Sequence, residues 1–78
     1  MHFELWHMPS GNLVNTFGDE ADALETVRRA FERDGREAGE SFSLGTEDRR
    51  GRSRQVAAGP ALLERAIMFG SGQASHTR

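Results

Sequence analysis

The chain contains no cysteine and no lysine. Without cysteine there is no disulfide and no thiolate metal site, and a structural zinc would have to use His, Asp and Glu alone, an unusual donor set. Without lysine a Walker phosphate loop cannot be completed, and Ser10-Gly11-Asn12 and Gly70-Ser71-Gly72 are too short to stand in for one. All ten basic residues are arginine. Biased codon usage accounts for this more simply than selection for bidentate contacts to carboxylate or phosphate. No apolar run approaches bilayer length, and MHFELWHMPS has neither a basic start nor an apolar stretch of signal-peptide type. A cytoplasmic protein with no membrane association is therefore expected. The net charge of −2 gives no overall basic field of the kind a general nucleic-acid coat carries.

What is present is a well-marked helix in the run DEADALETVRRAFERDG. Asp19 can accept from the free amides of the first turn, and Asp22 follows at the capping-box spacing. Acids crowd the start and arginines the second half, matching both ends of the helix dipole. Gly35 offers a left-handed stop. Ala23, Leu24, Val27, Ala30 and Phe31 form one apolar stripe, while Glu25 with Arg29 and Arg28 with Glu32 are four apart on the polar side.

Ahead of it, residues 2–8 alternate as a strand, with Phe3 and Leu5 on one face and Trp6 and Met8 on the other. Pro9-Ser10-Gly11 is turn chemistry, and residues 12–17 return as a second strand. Both faces of this hairpin carry apolar residues, which suits a sheet covered on both sides. Residues 36–39 connect. Residues 40–46 form a third strand with Phe42 and Leu44 inward, and residues 47–51 a charged turn. Residues 52–58 form a fourth strand with Arg52, Arg54, Val56 and Ala58 on one side. Gly59-Pro60 opens a second helix over residues 61–69, apolar around most of its circumference. Residues 70–78 have linker composition and are expected to be disordered.

The expected fold is α+β in the order β-β-α-β-β-α: a single domain over residues 1–69, with the long helix on one face of an antiparallel four-stranded sheet. The short C-terminal helix would cross the other face or reach a second chain. The run ELWHMPSGNLVNTF, the capped ALETVRRAF and SFSLGTEDRRG resemble a class of short bacterial proteins of unassigned function, over roughly residues 3–67. That likeness rests on packing and turn residues, so it implies the hairpin–helix–hairpin layout and no activity. In layout the chain is also similar to the accessory domains of HicB-type antitoxins, although it lacks their extra strand and any attached DNA-binding helix pair or ribbon.

Two surfaces stand out as candidate sites. Arg49, Arg50, Arg52 and Arg54 place four guanidiniums on a hairpin tip, where they could meet phosphates, guanine edges or an acidic protein. The plain alternative is a solvated turn that keeps an edge from aggregating, with Glu47 and Asp48 partly neutralising it. Trp6, Met8, Leu62, Leu63, Ile67 and Phe69 form the second set. They either complete a two-sided core or make the seam of a homodimer or the docking patch for another protein. A staple-free core this small gathers only about 3–5 kcal/mol, which favours self-association.

Catalysis, cofactor and metal are not expected. No serine stands in a nucleophile elbow, and exposed carboxylates are poor general acids. His2 and His7 are five apart, so on a strand they face opposite ways. The expected function is a non-catalytic, self-associating interaction or regulatory domain; the alternative is a nucleic-acid-binding or antitoxin-like regulator acting through residues 49–54.

Overall fold

The structure, a computed structural model, describes the backbone of residues 2–76 and the side chains of residues 2–70. Its elements are β1 (His2–His7), β2 (Asn12–Phe17), α1 (Glu20–Asp34), α2 (Arg36–Gly39), β3 (Phe42–Glu47), β4 (Ser53–Ala58) and α3 (Gly59–His76). The fold is α+β, with one antiparallel sheet in the order β2-β1-β3-β4. The two hairpins lie side by side, joined where β1 pairs with β3, so the first strand of the chain is an interior strand.

The long helix forms as its sequence dictates. Asp19 is extended, and its Oδ1 accepts from the Asp22 amide at 2.9 Å. Gly35 takes φ +97°, and its amide donates to the Phe31 carbonyl. The inward face is Ala23, Leu24, Val27 and Ala30, with Phe31 packed beside them. Arg28 pairs with Glu32 at 2.6 Å and Arg29 with Glu25 at 3.0 Å on the outer side. The connection over residues 36–39 is itself a helical turn, α2, whose Gly39 is buried against α1 and α3.

The placement of α3 differs from expectation. It does not cross the far face of the sheet but lies beside α1 on the same face. Leu62, Leu63 and Ala66 join Leu5, Leu44, Leu24 and Val27 in one core. The reason lies in volume: Ala23 and Ala30 on α1 are too small to fill the space above Leu5 and Leu44, and the paired leucines of α3 complete it. Among the described residues the sheet is therefore covered on one side only, and the expectation of two covered faces is corrected. The helix is also longer than residues 61–69. Of the segment 70–78 expected to be disordered, residues 70–76 continue α3, and residues 77–78 lie outside the described residues. No proline follows Pro60 to end the helix.

Two bulges shift the strand faces. In the β1–β2 ladder Leu5 pairs with Asn15 and Trp6 with Leu13, so Val14 is left over. In the β3–β4 ladder Leu44 pairs with Ala57 and Gly45 with Gln55, so Val56 is left over. A bulge sets two residues against one and breaks the alternation. Val56 and Ala57 both pack on the core, and Ala58, opposite Ser43, turns to the other face. Arg52, Arg54, Val56 and Ala58 consequently do not share one side as expected.

Candidate functional site

Side-chain alternation places His2, Glu4 and Trp6 of β1 on the sheet face that no helix covers. Their register partners Glu47, Gly45 and Ser43 on β3 share it. Leu13 extends the face onto β2 opposite Trp6, and Gln55 and Ser53 extend it onto β4. Trp6 is 38% exposed and Leu13 45%. They form an apolar ridge on one half of the face. On the other half Gly45 has no side chain and Ser43 a short one, leaving a hollow of about 230 Å³ that Trp6, Glu4, Gln55 and Arg54 also border.

The six apolar residues singled out in the sequence do not make one surface. Leu62 and Leu63 are fully buried in the core, and Ile67 and Phe69 are half-buried against it. Trp6 lies on the opposite side of the sheet. Met8 is exposed beyond the end of β1, its amide donating to the Ser41 carbonyl and its Cε about 4.0 Å from where a Cβ on Gly59 would sit. Helical periodicity alone cannot tell a core stripe from a seam, which is why α3 read both ways.

The arginine hairpin is built by Asp48. Its Oδ1 accepts from the Arg50 amide at 2.9 Å and the Arg52 amide at 3.0 Å, and Gly51 takes φ +81° to close the turn. Arg49, Arg50, Arg52 and Arg54 are all exposed. The two acids beside them do not neutralise them by contact. Asp48 is engaged with backbone amides, and Glu47 faces His2 across the β1–β3 ladder at 3.4 Å. Arg28, Arg29, Arg33, Arg36 and Arg65 each contact a carboxylate. Among the described residues, the four hairpin guanidiniums are the arginines without such a partner. Two shallow grooves flank them, one of about 460 Å³ between Arg52, Arg54 and Thr46 and one of about 500 Å³ along Arg49, Arg50 and Arg52.

His2 and His7 face opposite ways, as their spacing requires. His7 sits against Phe42, ring centroids 5.9 Å apart, with its Nδ1 2.8 Å from the Ser10 hydroxyl. His2 stands 3.4 Å from both Glu4 and Glu47. Searching for a histidine pair misses this group, because it forms across strands; the period-two spacing of His2 and Glu4 was its one local signal. On α3, a hydrogen bond and charge from Glu20 on α1 hold the Arg65 guanidinium above its ordinary pKa.

No protein-family model matches the chain, and neither a curated protein nor a solved structure matches it significantly. Among the described residues no helix is long and apolar enough to cross a membrane.

Proposed function

We propose that the protein is a non-catalytic interaction module that pairs with a second copy of itself through the open face of its sheet. The observation that carries this reading is the shape of that face, a Trp6–Leu13 ridge beside a hollow over Gly45 and Ser43. A two-fold contact is self-complementary, so each half of one patch meets the other half of its copy. Trp6 of one protomer then fills the hollow of its partner. An exposed tryptophan at the centre of a patch is the residue type that dominates such contacts. The helix α3 contributes little to the seam, because Leu62 and Leu63 are committed to the core.

Sedimentation equilibrium tests the reading. Dimer is expected at tens of micromolar, and Trp6→Ala should raise the dissociation constant at least about tenfold, roughly 1.4 kcal/mol. A monomer at that concentration overturns it.

A second reading is favoured by one observation, the four guanidiniums without carboxylate partners. It takes the hairpin as an anion-binding edge for nucleic acid, as an antitoxin-like regulator would use. A gel-shift series at low salt tests it; no retarded duplex or single strand at any salt dismisses it.

A further inference from the structure

We propose that His2, Glu4 and Glu47 form a binding site for a divalent transition cation such as Zn²⁺. The three side chains come together by strand geometry. Glu4 is two residues along β1 from His2 and so on the same face, and Glu47 is the residue of β3 directly opposite His2. The Thr46 hydroxyl donates to the His2 carbonyl at 2.9 Å, which ties the first residue of β1 to β3 and holds the pair in register.

The spacing matches tetrahedral coordination. Donors about 2.0–2.2 Å from a zinc ion stand about 3.3–3.6 Å from one another. His2 Nε2 lies 3.4 Å from Glu4 Oε2 and 3.4 Å from Glu47 Oε1, and the three donor atoms all fall within 4.8 Å of one another. Two edges of the polyhedron are therefore already at coordination length. The two carboxylates offset the charge of the ion, and the imidazole selects metals that accept nitrogen. Calcium demands six or more oxygens and magnesium near-ideal octahedral geometry, which one imidazole and two carboxylates do not supply. The side chains are 42%, 33% and 36% exposed, so the fourth position opens to solvent and admits water or an exchangeable ligand. The site does not depend on the pairing of two copies, because all three donors belong to one chain.

Isothermal titration of the full, untagged chain with zinc chloride tests the proposal. One ion per chain is expected, with magnesium giving no saturable heat. His2→Ala, Glu4→Gln and Glu47→Gln should each weaken zinc binding at least tenfold, while His7→Ala and His76→Ala leave it unchanged. The Gln variants keep side-chain shape and decide the matter even if His2→Ala disturbs β1. Proton–nitrogen spectra of the imidazoles should show the His2 ring shifting on zinc addition and the His7 ring unmoved. Absence of zinc binding overturns the proposal, as does binding that persists in Glu47→Gln or is lost in His7→Ala or His76→Ala.

Discussion

Gly39 and Leu63 meet so closely that a Cβ built on the glycine would lie 2.9 Å from the leucine's Cδ1 and equally close to Phe31 Cβ. The turn α2 is thereby wedged between α1 and α3. Gly39→Ala forces two packed elements apart, and a loss of about 1–3 kcal/mol is expected. Urea denaturation reads it. Gly70→Ala is the comparison, since its Cβ would meet only the Arg28 side chain, which can swing aside. Exchanging glycine for alanine within α3 should then leave stability unchanged or raise it by up to about 1 kcal/mol.

Asp48→Ala should loosen the arginine hairpin without disturbing the core. The substitution strips two amides of their acceptor, at Arg50 and Arg52. Both can turn to water, so the expected loss is about 1 kcal/mol. Amide hydrogen exchange at Arg50 and Arg52 should quicken while that of Leu5 and Leu44 changes only with global stability.

Replacing Arg49, Arg50, Arg52 and Arg54 together by alanine should change stability by less than about 0.5 kcal/mol per site, because none holds an ion pair or packs in the core. Net charge moves from −2 to −6, four positive charges having been removed. If the unmodified protein retards nucleic acid, the variant should not. Salt dependence supplies the magnitude: four lost phosphate contacts flatten the logarithmic slope by about 3.6. Binding that survives all four substitutions places any nucleic-acid contact elsewhere.

Arg65→Ala tests a polar link between α1 and α3, the bond of Arg65 to Glu20. The guanidinium's pKa is raised by the ionised Glu20 carboxylate, so on the alkaline side the contribution is lost only as pH rises through the higher folded value. No alkaline loss of this link is expected in the range where proteins are normally studied. Arg65 is half exposed, and screening holds the expected cost to less than about 1 kcal/mol, shrinking in high salt. Thermal unfolding at low and high ionic strength checks both points.

The strands, the capped helix and the hairpin turns were legible because each is written in local chemistry. Asp19, Gly35, Pro9-Ser10-Gly11 and the alternation Phe42-Ser43-Leu44 act over a few residues. Which side α3 takes was not legible. Leu62, Leu63, Ala66 and Ile67 would cover either face equally well by pattern, and the choice follows from how much space Ala23 and Ala30 leave over Leu5 and Leu44. The bulges at Val14 and Val56 were hidden for a related reason: a valine excluded from pairing looks in sequence like any other strand valine. The grouping of His2 with Glu47 depended on strand register between residues 45 apart in the chain, which no window of sequence contains. The arginine hairpin was visible as composition; that its acids are engaged elsewhere needed side-chain contacts.

The pairing of β1 with β3 also sets a schedule for the nascent chain. On the ribosome β1 can fold back only on β2, leaving its other edge unpaired until residues 42–47 emerge. Leu5 stays only partly covered, by α1, until Leu62 and Leu63 follow. Such late, distant pairings slow folding and prolong the exposure of a sticky edge. Translation halted before residue 60 should yield aggregation-prone chains, whereas chains that include α3 refold from dilute denaturant.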